Sequence, residues 1–246
     1  NSDIETVGNA TRKMLKEIGR PELPLLKGGS RSGETRSEAV DFLIDTVNRY
    51  AGEISILATG SLTNLYGAYQ KDADFFDKVD RLCLMGGLTE TLLINGKVLD
   101  ELNFSCDPEA TYHVLTKAKN IGIATGNNCL DAFFSGEAFE DRFSRASEPI
   151  ARYLYEKTAY WYEHNKNSFG LNGFYNWDVV AAAHLVNRSY FDDHETWITP
   201  DLNSLKKGFL FGGGEPVKVN LPKIRDNSCF EEHVYQTYGN VTMEKV

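Results

Sequence analysis

Trp177 and Asp178 stand side by side where an apolar run, Val179 to Val186, begins. An indole offers a flat face for stacking on a heteroaromatic ring. A carboxylate beside it offers hard oxygen to a divalent cation, or a cap for the first turn of a helix. A second polar concentration runs from Asn95 to Asp107 as Asn-Gly-Lys-Val-Leu-Asp-Glu-Leu-Asn-Phe-Ser-Cys-Asp. In an extended segment Glu101 and Asn103 point the same way. An acceptor and an amide aimed together can hold sugar hydroxyls. The same groups could instead serve the turns of their own loop.

These residues need elements to position them. Ile4, Val7, Thr11, Met14, Leu15 and Ile18 recur at helical spacing, with Ser2 or Asp3 to cap the start and Gly19 to end it. A second helix is expected over about 37–50. Ile54–Ala58 reads as a short buried strand running into Thr59-Gly-Ser-Leu-Thr-Asn64 and a helix to about Gln70. Arg81–Met85 is the next strand, ending at Gly86-Gly87. Asp107 caps a helix to Ala118, with Pro108 at its first position. Ile121–Thr125 is a strand ending at Gly126-Asn127-Asn128.

Short apolar strands alternating with helices predict an α/β fold with a mainly parallel central sheet flanked by helices. In such sheets ligands bind beyond the strand carboxyl ends. Thr59, Gly86-Gly87 and Asn127-Asn128 are therefore expected along one edge. Two helices are expected over 135–166, the second dense in Tyr153, Tyr155, Tyr160, Trp161 and Tyr162, a pattern of core or subunit interface. Short strands are expected at 196–199, 208–211 and 217–219, and a closing helix over about 229–238. No linker or repeat divides the chain, so residues 1–246 read as one domain.

The chain has 246 residues, 41% of them hydrophobic, and a formal net charge of −9. The acidic balance argues against binding nucleic acid or an anionic membrane, and no apolar run is long enough to span one. The four cysteines show no zinc spacing. Cys83 and Cys129 are expected as buried thiols in a reducing, cytoplasmic setting. His113 and His184 are expected to be structural. His164 could approach the site if its helix folds over it.

Ile56-Leu-Ala-Thr-Gly-Ser-Leu-Thr-Asn-Leu65, Leu84-Met-Gly-Gly87, Glu101-Leu-Asn-Phe-Ser-Cys-Asp-Pro-Glu-Ala110 and Trp177-Asp178 together resemble the inosine-uridine nucleoside hydrolase family, calcium-dependent nucleoside N-ribohydrolases with a Rossmann-like fold. The resemblance implies hydrolysis of the N-glycosidic bond of ribonucleosides to free base and ribose, in purine salvage, by a homodimer or homotetramer. It implies that Thr59 and Asp178 ligate Ca²⁺. It places Asn95, Glu101 and Asn103 on the ribose, Met85 in the wall beside it, and Asn1 near the nucleoside.

Trp177 matches the purine-specific branch, where other members carry a histidine that protonates the leaving base. Stacking by an indole would ease protonation of a purine from solvent. The resemblance also implies an N-terminal strand followed by an aspartate cluster, D-x-D-x-x-x-D-D, that supplies further calcium ligands and the base that activates water. This sequence contains no such cluster, so the catalytic base is unassigned. The cluster is expected to precede Asn1 in the whole protein. Without it the chain would be an inactive nucleoside- or ribose-binding relative.

Overall fold

The chain is described by a computed structural model that covers residues 3–144 and 146–243. In chain order the elements are α1 (Ile4–Glu17), α2 (Glu38–Arg49), β1 (Ile54–Ala58), α3 (Thr63–Lys71), β2 (Val79–Met85), β3 (Leu93–Ile94), β4 (Lys97–Val98), α4 (Pro108–Lys117) and β5 (Ile121–Ala124). They continue with β6 (Phe133–Ser135), α5 (Gly136–Phe143), α6 (Pro149–Phe169), β7 (Gly173–Tyr175), α7 (Trp177–Val186), β8 (Phe191–Asp192) and β9 (Glu195–Ile198). The last four are α8 (Leu202–Leu205), β10 (Val217–Asn220), β11 (Lys223–Ile224) and α9 (Asn227–Gly239).

The central sheet has the order β1-β2-β5-β10-β9. Its first four strands run parallel and β9 is antiparallel to β10. Alternation along β2 divides the molecule into layers. Leu82 and Leu84 face a core shared with α2, α3 and α4, through Val40, Val47, Leu65, Val114 and Leu115. Cys83 points the other way and lies 3.7 Å from His184 Nδ1 on α7. Val180, Ala181 and Ala183 of α7 join Phe134, Phe139, Phe230 and Val234 in a second core. Small residues let α7 approach the sheet closely. A Cβ on Gly122 of β5 would sit 3.0 Å from the His184 ring.

The caps follow the sequence. Asp3 and Ser37 accept from Thr6 N and Val40 N at the starts of α1 and α2. Asp107 caps α4 through Ala110 N at 3.1 Å. Its other oxygen accepts from Gly33 N at 3.0 Å and from Thr63 Oγ at 2.7 Å. This carboxylate, 2% exposed, therefore ties the 28–33 loop and the start of α3 to α4.

Three expectations change. Residues 208–211 form no strand. Gly208 turns at φ +77°, and Leu210 hydrogen-bonds both Leu88 and Thr199, so the segment bridges between them. Asn95-Gly96 makes a tight hairpin between β3 and β4, both residues having positive φ, where the sequence suggested a polar loop with no strands of its own. Glu101 and Asn103 do not lie on an extended segment. Asn1 lies outside the described residues. No helix among the described residues is long and apolar enough to cross a membrane.

Candidate functional site

β1, β2 and β5 end together in a cavity of about 370 Å³. Its floor holds Thr59, Gly86, Gly87 and Gly126, which lie within two residues of the ends of those strands. The expected meeting of strand ends is present, although Asn127 and Asn128 turn elsewhere. Asn127 Oδ1 accepts from Thr89 N at 2.8 Å, and Asn128 donates to the Leu221 and Pro222 carbonyls. Gly87 has φ +76°, where a side chain is strained, and a Cβ there would meet Leu210 at 2.9 Å and Phe104 at 3.0 Å. Only glycine lets the chain turn here and still pass under Phe104.

Met85, Glu101, Asn103, Trp177 and Asp178 line this cavity together with Thr59. Residues separated by more than a hundred positions are brought to one place by the parallel topology. Asn103 Nδ2 donates to the Met85 carbonyl at 2.9 Å and approaches its Sδ at 3.1 Å. The Asn103 amide oxygen accepts no hydrogen bond among the described residues, which leaves it available to a hydroxyl.

Glu101 is saturated. Its Oε1 accepts from Gly87 N at 3.2 Å and from Asn103 N and Phe104 N at 2.8 Å; its Oε2 accepts from Ser105 N at 2.8 Å. The carboxylate is the centre around which residues 101–105 fold, and it anchors that turn to the end of β2. Glu101 and Asn103 thus share the cavity because one organises the backbone that carries the other. Asn95 is not among the cavity's lining residues. Its amide donates to the Phe169 carbonyl at 2.8 Å, tying the hairpin to the end of α6.

Asp178 contrasts with Glu101. It occupies the first turn of α7, but no side chain caps that helix, and Asp178 makes no hydrogen bond among the described residues. The residue is exposed and its carboxylate borders the cavity, where neighbouring protein removes part of its hydration. That loss of hydration raises its pKa above the ordinary aspartate value. An unpaired carboxylate in this setting gains from a cation. Asp178 and Thr59 line the same cavity, and a carboxylate and a backbone carbonyl are donor types that a divalent ion accepts. Among the described residues no group of three or more His, Cys, Asp or Glu side chains gathers around them.

Trp177 packs beside Tyr175 with ring centres 5.3 Å apart. Trp161, His164 and Asn165 of α6 form the facing wall. Trp161 stacks on His164 at 5.0 Å and 12°. Sequence reasoning left Trp161 in a general aromatic stripe. The stripe in fact divides: Tyr162 packs on Phe139 at 4.6 Å, Tyr160 is 68% exposed, and Trp161 faces the cavity. The signal that could have singled it out is its i,i+3 spacing to His164, which puts both rings on one helix face.

A family profile described as "Inosine-uridine preferring nucleoside hydrolase" matches residues 1–220. A protein named probable uridine nucleosidase 2, from Oryza sativa subsp. japonica, is 28% identical over 236 residues, covering 82% of this chain and 69% of its own length. The match spans between 45% and 69% of the plant relatives of that name. Among solved structures, a plant nucleoside hydrolase (PpNRh1) superposes with a TM-score of 0.85 at 21% identity, covering 98% of this chain and 88% of the other. A purine-preferring ribonucleoside hydrolase from Gardnerella vaginalis gives 0.74 at 19% identity, covering 92% and 83%. At these identities the superpositions establish a shared fold.

Proposed function

From the premise that this chain belongs to the inosine-uridine preferring nucleoside hydrolase family, we propose that the protein hydrolyses the N-glycosidic bond of ribonucleosides to a free base and ribose. The observation that carries the reading is the cavity itself. It places a stacking face, Trp177, an amide acceptor, Asn103, and an unpaired carboxylate, Asp178, around a space matched to a small ligand.

Cleavage of the bond builds positive charge on the sugar ring in an oxocarbenium-like transition state. Fixed acceptors facing that ring stabilise it without reorganising. Asn103 offers its free amide oxygen to a sugar hydroxyl, while its NH₂ group is held by Met85. Glu101 acts mainly by holding the 101–105 turn in place; its lone pairs are already engaged. The leaving base would lie against Trp177, with Trp161 and His164 opposite. Trp177 cannot donate a proton to the base, so protonation would come from solvent or from a group across the cavity.

Asp178 and the backbone of Thr59 would hold Ca²⁺, supplying part of the six to eight oxygens that the ion takes. When bound, the ion would orient the sugar diol and lower the pKa of a coordinated water. The general base of the reaction has no candidate among the described residues.

Base preference has two readings. The indole at Trp177 favours purines through its stacking area. The plant relatives named uridine nucleosidase favour a pyrimidine. Release of reducing sugar from inosine and uridine, with calcium and with a chelator, decides between them. Hydrolysis of inosine that the chelator stops, and that Asp178→Ala abolishes in the full-length protein, is the expected result. Undiminished turnover in Asp178→Ala would remove the metal assignment. Binding of nucleoside without sugar release would favour a non-catalytic binding protein.

A further inference from the structure

Asn165 and Asn220 are the buried side-chain amides among the described residues. Asn220 uses both ends of its amide: Oδ1 accepts from His194 N at 2.8 Å, and Nδ2 donates to Asp193. Asn165 uses one end. Its Nδ2 donates to the Trp161 carbonyl, one turn back on α6, at 2.8 Å. That contact fixes the orientation of the amide, because a carbonyl oxygen takes a hydrogen bond from NH₂ and not from another oxygen. The group left over is the Asn165 Oδ1, which accepts no hydrogen bond among the described residues. It is not among the unpartnered atoms sealed inside the protein, and Asn165 lines the candidate cavity. The side chain is 6% exposed. An acceptor held at so buried a position is ordinarily paired, so this one is placed for a donor that enters the cavity.

Its neighbours say which donor. Asn103, Asp178 and Thr59 belong to the strand-end side of the cavity, where the sugar is read above. Asn165 belongs to the facing wall, on the same side of α6 as Trp161 and His164, and Phe169 one turn further on lines the cavity too. A ligand with its sugar on the strand ends and its ring against Trp177 turns the far edge of that ring toward α6. A hydroxyl arriving there would press against ring faces, whereas a flat heterocycle packs on them and meets the oxygen edge-on. An acceptor is answered by a ring N–H and opposed by a ring nitrogen that carries only a lone pair. Inosine, guanosine and uridine have a ring N–H on the edge remote from the glycosidic bond; purine riboside has a bare nitrogen there.

We propose that Asn165 determines specificity for the base, its Oδ1 accepting from a ring N–H remote from the sugar. The site then favours nucleosides with a protonated ring nitrogen at that edge, purine or pyrimidine. The inference rests on the nucleoside hydrolase reading above and deepens it.

The test compares kcat/KM for inosine and for purine riboside in the full-length wild type and in Asn165→Leu, which keeps the volume and removes the acceptor. The difference in leaving-group chemistry is common to both proteins and cancels in the comparison. The preference for inosine is expected to fall by about five- to tenfold in the variant, the scale of one lost hydrogen bond. An equal loss on both substrates, or an unchanged preference, overturns the proposal. Should Asn165→Leu fail to fold, the wild type decides with 1-methylinosine, whose methyl group replaces that N–H: kcat/KM at least about tenfold below inosine is expected, and undiminished turnover overturns the assignment. In a protein that cleaves no nucleoside, titration calorimetry with the same ligands gives the same comparison. A preference in binding that depends on Asn165 would then keep the base-reading role and discard the hydrolase reading.

Discussion

At the scale of single residues the site sets two carboxylates in opposite states. Glu101 accepts from four backbone N–H groups, whereas Asp178 accepts from none among the described residues. Truncating Glu101 strands several donors at once. Glu101→Ala should therefore cost about 3 kcal/mol, read as a lower urea midpoint, and should weaken substrate binding because the turn that carries Asn103 loosens. Asp178 should behave in the opposite sense. Its folded pKa is raised, so ionisation penalises the native state. The penalty appears as pH rises through the ordinary carboxylate range and is complete above the raised value. Metal-free Asp178→Asn should melt higher than wild type at neutral pH, and the two curves should converge in acid. Calcium should raise the melting temperature of the wild type and leave the variant unmoved. A variant that melts lower than wild type at pH 7 would count against an uncompensated charge.

At the scale of elements the sequence was most informative where one residue type has one job. β1 and the cap of α4 came directly from an apolar run and from Asp107-Pro108. The hairpin at Asn95-Gly96 was legible too, since that dipeptide favours the turn that joins two strands, but its polar surroundings suggested a binding loop. Residues 208–211 could not be read. Gly-Phe-Leu-Phe has the composition of a strand, and only the positions of Leu88 and Thr199 make it a bridge. The candidate site shows the same division. Thr59, Met85, Asn103, Trp177 and Asp178 follow from strand ends and a motif, whereas the role of Glu101 depends on backbone that folds around it. Gly87→Ala tests the turn at the end of β2. A Cβ there adds left-handed strain to contacts at 3.0 Å or less with Leu210 and Phe104. The expected loss is about 3 kcal/mol in chemical denaturation, together with reduced ligand affinity.

At the scale of the whole molecule, stability against acid should fall in two stages. His184 is 2% exposed between α7 and the sheet, and burial, aided by Arg188, lowers its pKa despite nearby Asp193. A histidine depressed in the folded state contributes stability above its unfolded pKa and loses it as pH falls. The first decline is therefore expected below about pH 6.5. His184→Gln should lack it. The second belongs to Asp72, Asp193 and Asp226, whose pKa values are lowered in the fold, Asp72 chiefly by its bond to Lys78. Their contribution is present above the ordinary aspartate range and disappears as pH drops through their folded values. Thermal melts at stepped pH would resolve both stages.

Asp107 carries a consequence for the order in which the chain can be built. Its carboxylate joins Gly33 and Thr63, both delivered by the ribosome well before it. Until residue 107 has emerged, Gly33 and Thr63 lack their shared acceptor, and only Asn64, which accepts from Gly29 N at 2.9 Å, joins the 28–33 loop to the start of α3. The segment from residue 28 to the start of α3 must then wait for synthesis to proceed before it can lock fully. A translational pause just upstream of that codon would prolong its exposure to proteases.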